Sequence, residues 1–280
     1  MKLYSINTGL FKLDGGAMFG VVPKSIWNKL NPADQNNMCT WALRCLLIET
    51  GDKRILVDTG MGNKQDAKFF SHYYLHGGDT LEGSLAKHGF TKDDITDVFH
   101  THLHFDHCGG TIERKGSALV PGFRNAKLWT NKQHWKWATE PNDREKASFL
   151  KENLLPMQDS GKLNFIEVEE GISIFDKDIT LRFAYGHTDA MMLPTIVYKG
   201  RTIVYMADLM PSGAHLPLPY VMSYDMFPLK TMQEKKLFLH EALEKNYVLF
   251  FEHDPNVECC TLQLTEKGIR VKETFQLKEM

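Results

Sequence analysis

Apolar and polar positions along the chain alternate with two different periods, separated by glycine- and proline-containing breaks. Leu3-Tyr-Ser-Ile-Asn-Thr8 repeats every second residue, as a strand does, and Asp14-Gly-Gly-Ala17 reads as a turn. Cys39 to Ile48 and Arg54 to Asp58 predict two strands, joined into a hairpin by the tight turn at Gly51-Asp52. A helical patch lies between Asp66 and Gly89, with Gly89 as its stop signal. Ala126 to Trp129 reads as a strand, and Thr130-Asn-Lys-Gln133 has the capping-box form that opens a helix through Trp135 and Trp137. A second helix, Asp143 to Leu155, is expected to stop before Pro156.

The strand period returns at Asn164 to Val168, Ile172 to Phe175, Ile179 to Tyr185, Thr195 to Tyr198 and Thr202 to Met206. A proline-rich loop from Pro211 to Pro228 precedes another capping box, Thr231 to Glu234, whose helix carries Met232, Leu239 and Leu243 on one face. Tyr247 to Phe251 and Thr261 to Leu264 complete the strands. The order, with no linker and no repeat, predicts an α/β protein: two sheets sandwiched between helices in a single domain, residues 1–280.

Composition narrows the function classes. With 42% hydrophobic and 24% charged residues the chain is ordinary globular material. A formal charge of −2 gives no field that recruits nucleic acid, and no window approaches the roughly 20 apolar residues of a membrane span. The expected partner is therefore a small molecule, not a nucleic acid or a membrane. Five cysteines without a disulfide-framework spacing, and an N-terminus without an apolar export signal, imply reduced thiols and a cytoplasmic location. The apolar Met18 to Pro23 stretch is a candidate homodimer contact or pocket wall.

The chemistry concentrates in His102-Leu103-His104-Phe105-Asp106-His107, where three imidazoles and a carboxylate occupy six positions after the run Ile95 to Phe99. Alternation along an extended strand end predicts His102, His104 and Asp106 on one side, with Asp106-His107 available to a second centre as the chain turns. Imidazole with carboxylate is the ligand set of zinc or a similar divalent ion. His187, Asp208 and His253 each sit just past the C-terminal end of an apolar strand, where a rigid scaffold presents chemistry.

This pattern, His-x-His-x-Asp-His followed by a later His, Asp and His, resembles the signature of the metallo-β-lactamase fold superfamily. The likeness extends to Val57-Asp-Thr-Gly60, Gly186-His187-Thr188 and Ala207-Asp208. It implies a four-layer αβ/βα sandwich with two Zn²⁺ per chain, or another divalent pair. His102, His104 and His187 would hold the first ion, Asp106, His107 and His253 the second, and Asp208 would bridge them. Two ions about 3.5–4 Å apart share a water and lower its pKa, giving a hydroxide nucleophile near neutral pH. Asp106 is then the candidate proton shuttle, and Asp58 the acceptor that orients a ligand histidine. His104 stands where flavo-di-iron relatives of the fold carry Glu, which favours hydrolysis on zinc.

Within the superfamily the chain looks most like the branch of quorum-quenching N-acyl homoserine lactone lactonases and methyl-parathion-type hydrolases. Asp208 follows His187 by 21 residues and precedes His253 by 45. The expected activity is opening of an ester-like bond, foremost an acyl lactone; the alternatives are a phosphotriesterase or arylesterase, and a metal-binding protein without catalysis. The insert bearing Trp135, Trp137, Phe149, Leu154 and Leu155 reads equally as a hydrophobic pocket wall and as core. Several lactonases carry a Tyr soon after the bridging Asp, whereas Asp208 is followed by Leu209-Met210-Pro211. Tyr185, Tyr220 and Tyr224 are candidates to replace it, and His215 is a candidate substrate contact.

Overall fold

A computed structural model describes all of residues 1–280. The chain divides into two compact units, one of residues 1–10 and 43–169, the other of residues 11–42 and 170–280. Strands β1 (Lys2–Asp14) and β2 (Met38–Thr50) contribute residues to both. The first sheet continues with β3 (Lys53–Val57) and β4 (Asp97–Phe99). A separate two-stranded ribbon is made by β5 (Ile112–Lys115) and β6 (Ala118–Pro121), and β7 (Lys127–Asn131) and β8 (Leu163–Ile166) finish the first sheet in the order β1-β2-β3-β4-β7-β8. The β2–β3 hairpin is antiparallel, turning at Gly51 with φ 55°, and β3, β4, β7 and β8 pair in parallel. Parallel neighbours need crossovers, which the helices Leu81–Lys87 and Lys132–Thr139 supply.

The core of this unit gathers Leu47, Leu56, Val98, Leu128, Phe149 and Met157 from strands and helices alike. Each such side chain contributes on the order of 1.5–3 kcal/mol through burial. Phe149 and Leu154 belong to this core and Trp135 and Trp137 pack against it, while Leu155 is exposed, so the insert is core and not a pocket wall.

The second unit holds β9 (Ile179–Ala184), β10 (Met191–Tyr198), β11 (Arg201–Tyr205), β12 (Val248–Phe250), β13 (Cys259–Thr265) and β14 (Gly268–Phe275). They form one sheet in the order β14-β13-β12-β11-β10-β9, antiparallel except for β11 beside β12. The long helix Pro228–Glu244 makes the β11–β12 crossover and packs on β13 and β14.

Several local expectations are corrected. Asp14 to Ala17 is not a turn: Asp14 caps the helix Gly15–Phe19, its carboxylate accepting the Ala17 N–H at 2.8 Å. Met18, Phe19 and Val22 of the neighbouring apolar stretch are buried within the second unit, and Val21 is 86% exposed. The helix after β7 is capped by Asn131, one residue beyond Thr130, because β7 runs to Asn131 and its amide oxygen takes the His134 N–H. Residues 143–148 turn under the hold of the Asn142 side chain, and the helix spans Lys151–Asp159 with Pro156 inside it. Pro156 lacks the N–H for its own helical bond, yet the turn persists because Leu154 and Met157 on either side are buried.

The last long helix begins at Pro228, whose fixed φ suits a first helical position, so Thr231 lies inside it and is not the cap. Glu234 instead accepts the Tyr185 and Gly186 amides. Ile172 to Phe175 forms only an isolated bridge, Ser173 to Thr180, and β10 begins four residues before Thr195, running through Pro194.

Candidate metal centre

Four strand ends present the predicted ligands, and the spacing is uniform. β4 ends at Phe99, β9 at Ala184, β11 at Tyr205 and β12 at Phe250; His102, His187, Asp208 and His253 each follow three residues later. His102, His187, Asp208 and His253 are between 0% and 6% exposed.

In the first unit the strand stops before the histidines, so the expected alternation is not what groups them. Residues 100–104 bend out of β4, and Phe105–Cys108 is a helical turn carrying Asp106 and His107. The bend brings His102 Nε2 to 3.1 Å from His104 Nδ1, and the His102 and His107 rings to 3.9 Å between centroids. Asp58, fully buried, organises this turn. Its carboxylate accepts the Thr101 N–H at 2.8 Å and the Thr101 hydroxyl at 2.7 Å, and faces His107 Nδ1 at 3.2 Å. Because the Thr101 hydroxyl donates to Asp58, its oxygen is left to accept from His102 Nδ1 at 3.1 Å. One carboxylate thus holds two imidazole rings, His107 directly and His102 through Thr101. His104 is fixed from its other side, Nε2 to Glu145 at 2.9 Å, and Trp137 donates its indole N–H to the same carboxylate.

The second unit repeats the device with separate acceptors. His187 Nδ1 meets Asp225 at 2.9 Å, and His253 Nδ1 meets the Ala42 carbonyl at 2.8 Å. Asp208 lies between the two rings: Oδ2 is 3.1 Å from His187 Nε2 and Oδ1 is 3.2 Å from His253 Nε2. Ala207 before it takes the left-handed conformation at φ 41°, and Asp58 in the first unit does so at φ 58°; such backbone is strained for a residue with a Cβ and persists where packing over-determines it. Burial alone would depress His187, but the carboxylates of Asp208 and Asp225 outweigh it and hold it up at about 10. The position attracts positive charge.

Each of these five imidazoles has one nitrogen held on an oxygen partner, so an ion taken up at the other nitrogen would meet a ring already oriented. In the first unit two such nitrogens face each other 3.1 Å apart, an arrangement that favours a shared cation or proton. This donor set fits divalent ions of the zinc type.

The remaining candidates fall outside these contacts. His215 is buried, stacked on Phe19 at 4.7 Å, with its nitrogens on Ser212 and the Met18 carbonyl; burial pushes it down to about 3. Tyr220 sits edge-on to Phe19, Tyr224 is 36% exposed, and the Tyr185 ring lies under the Lys230 ammonium at 4.4 Å. Sequence reading overlooked Glu145 and Asp225, since neither stands in a motif. It also overlooked Tyr73, whose ring packs at 4.7 Å on Phe105, beside Asp106; burial and the Asp106 charge push its phenol up to about 12. The five cysteines are free and buried.

A scan against family models matches residues 44–253 to the metallo-beta-lactamase superfamily. That covers well over half of the chain: the protein belongs to this superfamily. Among curated proteins, N-acyl homoserine lactonase AiiA of Bacillus thuringiensis subsp. kurstaki is 26% identical over 197 residues, 67% of this chain and 66% of the relative. The chain thus matches just under two thirds of that relative's length. Among solved structures, a probable metal-dependent hydrolase from Staphylococcus aureus superposes with TM-score 0.86 at 28% identity, covering 98% of both chains. The dizinc quorum-quenching lactonase AidC, solved with its product, gives TM-score 0.79 at 24% identity over 98% of this chain and 95% of that one. The fold is that of the family, α/β with the predicted pair of sheets. No helix is long and apolar enough to cross a membrane.

Proposed function

We propose that His102, His104, Asp106, His107, His187, Asp208 and His253 form one dinuclear zinc centre in a single domain, and that the protein hydrolyses an acyl homoserine lactone. The observation that carries this reading is the matched orientation of five imidazoles, each with one nitrogen held on an oxygen partner. The two oxygens of Asp208, each beside a different histidine, suit a bridging role. When bound, a pair of divalent ions activates water and polarises a carbonyl at neutral pH.

The chain's own groups do the rest. Asp58, Glu145, Asp225 and the Ala42 carbonyl lock ring orientation, so no reorganisation is needed during reaction. Asp106, 3.8 Å from His107 Nε2 and 9% exposed, takes the proton of the attacking water and returns it to the leaving ring oxygen. Phe69 and Tyr73 flank Phe105 at 5.3 and 4.7 Å, giving an aromatic surface for an acyl chain beside that carboxylate. The Tyr73 phenol stands in for the tyrosine absent after Asp208. The lactonase relatives support the substrate class and with it a quorum-quenching role, and the five free cysteines suit a cytoplasmic location.

The test is elemental analysis followed by hydrolysis of short- and long-chain acyl homoserine lactones, aryl esters and aryl phosphotriesters. About two zinc per chain, lactone turnover lost on chelation, and a Tyr73→Phe variant lowered in kcat more than in KM are expected. Fully metallated protein that turns over none of the panel would sink the reading, and preference for phosphotriesters would replace lactone by that class.

A further inference from the structure

The second unit carries a cavity of about 320 Å³ that none of the proposed ligands touches. It lies at the low end of the roughly 300–1,000 Å³ typical of small-molecule sites. Its floor is apolar: Leu216, Leu239 and Ile269 are all buried, and Leu264 on the rim is 70% exposed. Around that floor stand Lys236, His240, Lys267 and Arg270, and no acidic side chain lines the space. None of the four takes part in an ion pair; the only polar partner shown for Arg270 is the neighbouring Ile269 carbonyl at 2.7 Å.

The walls are preformed. One is the segment Leu216 to Pro219, held down by the fully buried Lys235, whose ammonium donates to the carbonyls of His215, Pro217 and Tyr220 at 2.7, 2.9 and 2.9 Å. Those three bonds use all three N–H groups of the ammonium, so Lys235 fixes the wall and leaves the rim cations to a ligand. The opposite wall is the β13–β14 turn, and the helix Pro228–Glu244 contributes Lys236, Leu239 and His240.

We infer that this cavity is a binding site for a medium-chain alkyl carboxylate. An apolar floor takes up the chain, and Lys236, Lys267 and Arg270, cations without counter-ions, take the anionic head. A neutral or cationic amphiphile matches the floor but not the rim, and an inorganic anion matches the rim but not the floor.

Calorimetric titration of zinc-loaded protein with octanoate, octanol, octylammonium and acetate tests this directly, independently of any hydrolytic activity. Octanoate should bind more tightly than all three comparators, with affinity rising up to roughly fourfold per methylene from hexanoate to octanoate. Exposed Lys236 and Lys267 permit the double charge reversal K236E/K267E, which should weaken octanoate at least tenfold while lactone turnover is retained. Leu264→Glu, also at an exposed position, should weaken it by a comparable factor. Octylammonium binding as well as octanoate overturns the inference. So does octanoate affinity that is unchanged in both variants, particularly if it disappears in Asp208→Ala, which would place the carboxylate at the metals.

Discussion

Four of the proposed ligands lie within six residues of the first unit, on the bend and helical turn after β4; the second unit supplies three, from three strands. The acceptors behind them differ in the same sense. In the first unit one buried carboxylate, Asp58, serves His107 directly and His102 through Thr101. In the second, Asp225 holds His187 alone and a backbone carbonyl holds His253. A compact cluster shares its support, so its geometry rests on few residues. A dispersed one draws support from separate segments and distributes the consequences of any single change.

The largest effect expected on this comparison is Asp208→Ala, which removes both oxygens that sit between His187 and His253. Metal content measured by elemental analysis should fall, with kcat/KM reduced by more than the roughly 100-fold upper end for an outer partner. Retention of both ions and activity would remove Asp208 from the centre.

Next comes the pair Asp58→Asn and Asp225→Asn. Outer carboxylates of this kind are worth about 10–100-fold in metal affinity or activity. Asp58→Asn should lie at the upper end, because two imidazole rings depend on it, and Asp225→Asn at the lower. Competition against a chelator measures both, and equal losses would break the contrast between shared and separate support.

Backbone packing offers a third comparison. A Cβ at Gly186 would lie 2.3 Å from the Thr231 backbone nitrogen, and one at Gly110 would lie 2.2 Å from the Thr59 carbonyl oxygen. Neither contact is a flexible side-chain tip. Gly186→Ala and Gly110→Ala should each cost about 1–3 kcal/mol by chemical denaturation, and a neutral result at either would show that its loop can move.

The smallest effect is a pH dependence at one ion pair of the second unit. Two hydrogen bonds from Arg182, on the strand leading to His187, hold the Glu241 carboxyl down at about 2, below its ordinary 4.5. A depressed carboxylate stabilises the fold above its unfolded pKa and loses that contribution as pH falls through its folded one. Stability from this pair is therefore full above about 4.5 and lost as pH drops toward 2. Glu241→Gln should cost on the order of 1 kcal/mol at neutral pH and flatten the acid limb of the unfolding curve.

The sequence by itself determined the candidate ligands: an imidazole and carboxylate set dense at His102–His107 and regularly placed at strand ends elsewhere. It also determined most strands, because burial of one face or two leaves a period that needs no partner to be read. The grouping of His102 with His104 was legible, but its cause was not: the chain bends before the cluster, where alternation no longer applies. The missed β14 mixes Ile269 and Val271 with Arg270, Lys272 and Glu273, and its pairing with β13 across a bulge completes it.

Only the tertiary structure decided which polar groups stand behind the proposed ligands. Glu145 lies 41 residues from His104 and Asp225 lies 38 from His187, in segments with no motif of their own. Pro156 inside a helix, the cap at Asn131, the helix start at Pro228, and the choice of core over pocket wall for the tryptophan-bearing insert were settled in the same way. Local preference is worth at most a few kcal/mol at such positions, and burial of neighbouring apolar side chains outweighs it.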